Sequence, residues 1–234
     1  MPLPRSPRTS TSSPAYSCFP ARFARGYVLP ALLLGLVAQA HTQTRLQRQL
    51  ANVDLGLQAT GQFTGTVSGP VVLPAVDTGT NITQSVSNTV GFLGTLRYAP
   101  RPYLGAEFNG SYVRYTESYN VAPLQIQTQS NEFTFGYLVT PPYRIFGVKP
   151  FASVGVGTIR FAPTRGGGQG APPEARMGEY YNVGFQKELF SENFGLRAGF
   201  RQLFFEAPDF VQNYLTINKR TSTVEPTIGF YLRF

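Results

Sequence analysis

TIGFYLRF, the stretch Thr227–Phe234 that ends the chain, alternates between apolar side chains and small or polar ones. Successive side chains of a β-strand point to opposite faces, so this stretch reads as a strand with two different faces. The apolar face carries Ile228, Phe230, Leu232 and Phe234. The other face carries threonine, glycine, tyrosine and arginine. The pattern predicts a strand with only one apolar face.

The same alternation recurs upstream in segments of about 9 to 12 residues, which is typical of strands that cross an outer membrane. The eight predicted strands are Val53–Phe63, Val90–Tyr98, Tyr103–Tyr115, Ser130–Val139, Val148–Phe161, Met177–Lys187, Asn193–Phe205 and Thr223–Phe234. Their second face is mostly Gly, Ser, Thr and Asn, whereas a soluble sandwich would expose many Lys, Glu and Thr there. The pattern therefore predicts an all-β, eight-stranded, antiparallel up-and-down barrel with lipid outside and a narrow polar lumen.

The predicted connections alternate between short and long. The long ones are Thr64–Thr89, Thr116–Gln129, Ala162–Arg176 and Glu206–Ser222, and the short ones are Ala99–Pro102, Thr140–Gly147 and Glu188–Glu192. Outer-membrane barrels have short periplasmic turns and long extracellular loops. We therefore expect both ends of the barrel segment on the periplasmic side.

The composition favours this class over others. Charged residues make up 14% of the 234 residues, whereas soluble domains average roughly 25%. Beyond the first forty residues no apolar run approaches the roughly 20 residues of a membrane-spanning helix. The 19 Phe and 13 Tyr argue against disorder, because they can bury enough surface to offset chain entropy.

Residues 1–40 are interpreted as a cleaved secretory signal peptide. Arg22 and Arg25 precede the apolar run Tyr27–Val37, and Ala38-Gln39-Ala40 resembles a cleavage site. The predicted organisation is thus a leader, 1–40, a periplasmic segment, 41–52, and a barrel, 53–234. Removing the leader leaves 16 Lys and Arg against 12 acids, without the basic and aromatic cluster that nucleic-acid binding requires.

With its leader, loop asymmetry and final Phe, the chain resembles the small eight-stranded outer-membrane barrels of the OmpA and OmpX type. The resemblance covers residues 53–234. It implies a monomer in contact with outer-membrane lipid. It also implies that Ile228, Phe230, Leu232 and Phe234 form the signal that the barrel-assembly machinery reads.

Charged residues on the polar face are predicted to meet in the lumen. These are Asp54, Arg97, Glu107, Glu132, Lys149, Arg197, Arg201, Glu225 and Arg233. The interior of an eight-stranded barrel is just filled by side chains, so we expect these four acids and five bases to pair and plug it. The alternative is a gated ion path through the same charges.

Aromatic residues near the strand ends are predicted to form two interfacial girdles. The periplasmic girdle would hold Tyr98, Tyr103, Phe146, Phe190, Phe194 and Phe234, and the outer one Tyr115, Tyr119, Phe161, Phe204 and Phe205. A carbohydrate-binding platform of exposed aromatic rings is the rival interpretation.

Catalysis is not expected. The single histidine, His41, would be the first residue after cleavage, and the single cysteine, Cys18, lies in the leader. Neither a catalytic triad nor a metal site can be assembled from them, and no cofactor is implied. The glycine-rich run Arg165–Gly170 lacks the Lys-Ser/Thr of a phosphate-binding loop and is expected to be a flexible extracellular loop.

Three functions remain open at this point. The first is a non-enzymatic outer-membrane barrel with a structural or surface-interaction role. The second is a narrow pore for ions or small solutes. The third is a soluble periplasmic barrel with its apolar face turned inward around a ligand. No loop carries a recognisable binding motif, so the sequence identifies no extracellular ligand.

Overall fold

The computed structural model describes residues 47, 49–70, 81–121, 124–212 and 215–234. The chain divides into two compact units, Met1–Thr44 and Arg45–Phe234, and the first lies outside the described residues. The predicted leader, 1–40, and most of the predicted segment 41–52 fall outside them too. Within the described part of the chain, no helix is long and apolar enough to cross a membrane.

The second unit is built from antiparallel strands that close into a barrel. Its described strands are β1 (Val53–Thr64), β2 (Val67–Pro70), β3 (Asn81–Val86), β4 (Thr89–Tyr98), β5 (Leu104–Tyr119), β6 (Leu124–Val139), β7 (Lys149–Pro163), β8 (Glu174–Leu189), β9 (Ser191–Glu206) and β10 (Arg220–Arg233). Eight of them pair in the ring β1, β4, β5, β6, β7, β8, β9, β10 and back to β1. The predicted fold class is confirmed. The extra strands β2 and β3 pair with each other, and β3 continues along the far end of β5.

The predicted strand parity is confirmed around the barrel. On β6, Phe135 and Tyr137 are 55% and 72% exposed on the outer face. Thr134 and Glu132, at alternate positions of the same strand, are buried in the lumen. An apolar outer surface is the opposite of the arrangement that a soluble ligand-binding barrel requires, and it suits lipid.

The outward apolar side chains form a band around the barrel, which we call the apolar belt. Beyond this belt the alternation of apolar outward and polar inward side chains reverses. Toward the long-loop end of β5 and β6, the inward residues become apolar, as at Val113, Tyr115 and Ile126, which are buried. The outward residues become polar, as at Arg114 and Gln127, which are exposed. This is the alternation of a soluble strand. The strands therefore project out of the apolar belt, with their own core inside.

Because the strands project beyond the belt, two segments predicted as long loops contain strands instead. The segment Thr116–Gln129 is mostly strand, and β5 and β6 are joined by residues 120–123 alone. The segment Thr64–Thr89 contains β2 and β3, while its residues 71–80 lie outside the described part. Sequence reasoning missed both extensions because it searched for apolar residues on the outer face, which these segments lack.

The short turns lie at the other end of the barrel. β8 and β9 are joined at Phe190, which has a positive φ of 54°. The β6–β7 connection is longer and contains the turn Phe146-Gly147, with φ values of 49° and 79°. Two successive positive φ angles are typical of a type I′ hairpin turn. We call this the short-turn end and the opposite one the long-loop end.

The described residues of the connection 207–219, which are 207–212 and 215–219, fill the mouth of the long-loop end. Its residues Phe210, Leu215 and Ile217 are buried and pack in one cluster with the inward apolar residues of the strands. The backbone oxygen of Pro208 accepts a hydrogen bond from Nε2 of Gln84, at 3.3 Å. The connection is therefore a plug rather than a free loop.

The predicted outer girdle is wrong in four of its five members. Tyr115, Tyr119, Phe161 and Phe205 are buried inside the projecting end, where they belong to the apolar cluster. They follow the inward parity of their strands beyond the belt. Phe204 is the exception, since its ring lies tilted against that of Tyr181 on the outside, with ring centroids 6.2 Å apart.

The glycine-rich run Arg165–Gly170 is not a free loop either. The amide of Gln127 donates to the backbone oxygen of Gly167 at 2.9 Å, and the amide of Gly168 donates to Thr164 at 2.8 Å. The run is a compact turn held against the end of β6.

Candidate functional site

The lumen contains ion pairs arranged at different heights. The first joins Arg97 on β4 to Glu107 on β5, which face each other directly in the strand register. Nε of Arg97 lies 2.5 Å from Oε2 of Glu107, and both side chains are buried. The guanidinium also stacks over the ring of Phe151, 4.0 Å from its centroid.

Glu107 is the centre of a wider hydrogen-bond network. Its Oε1 accepts hydrogen bonds from Ser153 at 2.9 Å, from Asn109 at 3.0 Å and from Tyr180 at 3.4 Å. These donors come from β5, β7 and β8. A buried carboxylate with this many donors remains paired on both oxygens, so the network fixes several strands to one anion.

A second ion pair crosses the lumen above the first. Nη1 of Arg201 on β9 lies 2.6 Å from Oε2 of Glu225 on β10 and 2.9 Å from Oε2 of Glu132 on β6. Glu225 is its register partner, whereas Glu132 reaches it from across the barrel. The guanidinium also lies over the ring of Tyr180, at 4.5 Å. This triad occupies the middle of the lumen.

Arg197 closes the lumen toward the short-turn end. Its Nη2 donates to Asp54 at 2.8 Å and to Gln186 at 3.2 Å, and its Nη1 donates to Thr95 at 3.0 Å. The ring of Tyr231 lies beneath the guanidinium, at 4.8 Å. Aromatic rings and guanidinium groups thus fill the space between the ion pairs.

Two of the predicted lumen residues lie at the rim instead. Nζ of Lys149 lies 2.6 Å from Oε1 of Glu188, and Nη1 of Arg233 lies 3.8 Å from the same oxygen. Arg144 binds the other oxygen of Glu188 at 2.7 Å. Sequence reasoning missed Glu188 because it placed this residue in a turn, whereas β8 runs on to Leu189.

A further polar cluster lies inside the projecting end, and the sequence did not indicate it. Oε2 of the buried Glu117 accepts hydrogen bonds from Gln84 at 2.7 Å and from Tyr119 at 2.9 Å. Its strand neighbours Thr116 and Ser118 face outward and are polar, so this level lies beyond the apolar belt. Burial raises the pKa of Glu117 from its ordinary value to about 8.

Glu174 anchors the plug beside this cluster. Its Oε2 accepts hydrogen bonds from the backbone amides of Asp209 and Phe210, at 3.0 and 2.7 Å. Arg176 forms ion pairs with Glu174, Glu206 and Asp209. The charges at this end thus hold the connection 207–219 in the barrel mouth.

The described residues offer no arrangement for metal binding. No group of three or more His, Cys, Asp or Glu among them could hold a metal ion. His41 and Cys18 lie outside the described part of the chain. What the lumen provides is a set of fixed, mutually neutralising charges.

A closed barrel with an apolar outer belt and a charged, filled lumen is the architecture of the small outer-membrane β-barrel proteins. The chain has the fold of the eight-stranded members of that class. The outer membrane protein OprG of Pseudomonas aeruginosa is similar in structure, with a TM-score of 0.56 and 12% identity over 78% of this chain and 95% of that one.

Two further solved structures resemble the chain more loosely. Neisserial surface protein A has 15% identity and a TM-score of 0.48 over 77% of this chain and 97% of its own. Ail, the attachment invasion locus protein of Yersinia pestis, has 13% identity and a TM-score of 0.42 over 77% of this chain and 99% of its own. No family model matches the sequence, and no curated protein does.

Proposed function

We propose that this protein is a non-enzymatic outer-membrane barrel with a plugged lumen and a structural or surface-interaction role. Its short-turn end would face the periplasm and its long-loop end the exterior. The observation that carries the proposal is the ion-pair bridge of Glu225, Arg201 and Glu132 across the lumen.

The buried bridge supports a plug rather than a conducting path. Arg201 and both of its carboxylate partners are buried, as are Arg97 and Arg197 nearer the short-turn end. A solute passing through would have to separate these pairs. Separating a buried ion pair is costly, because it leaves charges unpaired in a medium of low dielectric constant.

The projecting end supports a role at the cell surface. Its apolar core and the connection 207–219 close the barrel mouth, so this end presents a solid polar surface. Such a surface suits contact with other molecules.

Single-channel recording in planar bilayers tests the plug. We expect the purified protein to give no reproducible conductance steps under conditions in which an open porin gives clear ones. Reproducible steps of one size would contradict the plug and favour the alternative of a narrow pore for ions or small solutes.

Export and assembly complete the proposal. Residues 1–40 would act as a cleaved signal peptide, and Ile228, Phe230, Leu232 and Phe234 would be read by the barrel-assembly machinery. In the structure Ile228, Phe230 and Leu232 are exposed on the outer face of β10, and Phe234, just after its end, is exposed too. The mature protein would be a monomer surrounded by outer-membrane lipid, without a cofactor or a nucleic-acid partner.

A further inference from the structure

A vestibule opens at the short-turn end of the barrel. Its volume is about 430 Å³, within the range of small-molecule sites. Buried Arg97 lies at its inner end, and the turn residues Arg101 and Arg144 lie at its mouth. Lys149 and Arg233 line its wall. Five cationic side chains therefore line this concave space, and of these Arg97 is already paired with Glu107.

The positive charges of the vestibule are not fully neutralised. Glu188 is the only carboxylate among the described residues that forms ion pairs with Arg144, Lys149 and Arg233. Arg101 forms no ion pair within the described part of the chain. Asp54, the single acid on the vestibule wall, is already bound to Arg197. The side chains around the opening thus carry a clear excess of positive charge.

Arg144, Lys149 and Arg233 surround the single carboxylate of Glu188. Glu188 thus occupies the position that an external anion could take. Lys149 contacts one oxygen of Glu188 and Arg144 the other, at 2.6 and 2.7 Å. Arginine forks and ammonium groups bind carboxylates and phosphates through the same charge-assisted hydrogen bonds. A concave site with one sign of charge also concentrates ions of the opposite sign.

We infer that the vestibule is a binding site for a small oxyanion with two or more negative charges, either a phosphorylated compound or a polycarboxylate. One oxyanion group would bind Arg144 and Lys149 in competition with Glu188. A second would reach Arg101 or Arg233 on the other walls. The site does not depend on whether the lumen conducts, so it is independent of the proposed function.

Glu188 allows the inference to be tested by an increase as well as by a decrease in anion affinity. Replacing it by glutamine keeps the side-chain shape but removes the competing charge, so anion affinity should rise. Replacing the cations should lower it. A general effect of net charge would be reproduced by removing a remote cation, whereas a specific site responds only to the residues that line it.

Isothermal titration of the folded protein in maltoside micelles, which contain no phosphate, is the direct measurement. The probes are pyrophosphate and citrate, titrated separately. We expect the double variant Arg144→Gln/Lys149→Gln to bind about tenfold more weakly, because charge-assisted hydrogen bonds are lost. We expect Glu188→Gln to bind at least about threefold more tightly, with the effect weakened by added salt.

Arg114→Gln is the matched control, because Arg114 is exposed on the outer face of β5 and far along the strand from the vestibule. Heat-modifiable mobility in gels shows that each variant is folded. Binding of pyrophosphate alone would identify the phosphorylated class, and binding of citrate alone the polycarboxylate class. Absence of binding for both probes would overturn the inference. So would affinities that Arg144→Gln/Lys149→Gln leaves unchanged or that Arg114→Gln lowers equally.

Discussion

Glu132 and Glu225 lie on opposite sides of the barrel, on β6 and β10, yet both bind the guanidinium of Arg201. Nη1 of Arg201 is 2.9 Å from Oε2 of Glu132 and 2.6 Å from Oε2 of Glu225. A cross-strand neighbour can meet Arg201 in any hairpin, but Glu132 can meet it only when the barrel is closed. The contact thus couples closure of the barrel to neutralisation of its lumen.

The first prediction concerns this bridge. Arg201→Met should destabilise the barrel by about 3–5 kcal/mol, because it leaves two carboxylates buried without a counter-ion. The triple variant Arg201→Met/Glu132→Gln/Glu225→Gln should recover most of the loss. Urea unfolding in lipid vesicles, followed by heat-modifiable mobility, measures both. An Arg201→Met barrel as stable as the wild type would show that the bridge contributes nothing.

The strand parity could be predicted from sequence because the outer face and the lumen of a closed barrel impose opposite requirements on neighbouring residues. Phe133, Phe135 and Tyr137 lie on the exposed outer face, while Thr134 and Gly136 fit the narrow interior. Assigning a residue to the outer or the inner face requires only its own polarity and the two-residue period of a strand. Repeating this assignment along eight segments gives eight strands with one apolar face each, and this set of strands predicts the fold class.

The partners in the lumen could not be predicted in the same way. The pair of Arg97 and Glu107 depends on the register between β4 and β5, and the contact of Arg201 with Glu132 depends on the stagger of the whole barrel. Neither is encoded in the period of one strand. The extension of β6 did have a signal, the alternating run Leu124–Gln129, but its apolar residues face inward rather than outward.

The second prediction is a pH dependence of the plug. The pKa of Glu117, about 8 in the folded protein, lies above its ordinary value of 4.5. The folded state therefore prefers protonated Glu117, and this contribution to stability is complete below pH 4.5 and lost as pH rises through 8. Hydrogen exchange of the amides in 207–212, corrected for its intrinsic pH dependence, should reveal easier opening across that window.

Glu117→Gln should remove this pH dependence, because the amide keeps the shape and does not titrate. The other ionisable groups around it are Tyr115, Tyr119 and Glu174, and Glu174 is itself paired with Arg176. Glu174→Gln is therefore the companion variant. If the corrected exchange rate of these amides does not change with pH in the wild type, or changes equally in Glu117→Gln, then Glu117 does not cause the pH dependence of the plug.

The third prediction concerns orientation. An epitope inserted after Gly166 should be accessible to antibody on intact cells, because this glycine has open space around it at the long-loop end. The same epitope inserted at the turn Phe146-Gly147 should be labelled only after permeabilisation. The reverse result would mean that the short-turn end faces outward.

The fourth prediction concerns assembly. Phe234 ends the outward apolar row of β10 and is 54% exposed, so its side chain is available to an assembly factor. Deleting Phe234 should lower the amount of heat-modifiable barrel in the outer membrane and leave precursor or degraded chain. Phe234→Tyr, which keeps the ring, should assemble nearly normally. Unchanged amounts after the deletion would argue against an assembly signal.

The last prediction tests the lipid-facing assignment by its dependence on depth. Phe230 lies between Leu57 and Leu196 of the adjacent strands and stacks on Phe194, with centroids 5.5 Å apart. Phe230→Arg should therefore cost about 2–4 kcal/mol, as a charge near the middle of the hydrocarbon does, while Phe230→Leu should be tolerated.

Phe234→Arg provides the matched comparison, because Phe234 follows the end of β10 on the same face, at the rim. There the charge can reach the interface, and we expect a cost of only about 0–1 kcal/mol. Refolding into vesicles without assembly factors, followed by urea titration, separates this effect from any role of Phe234 in cells. In water both positions would tolerate arginine on an exposed surface. A cost at Phe230 no larger than that at Phe234 would therefore contradict the assignment of this face to lipid.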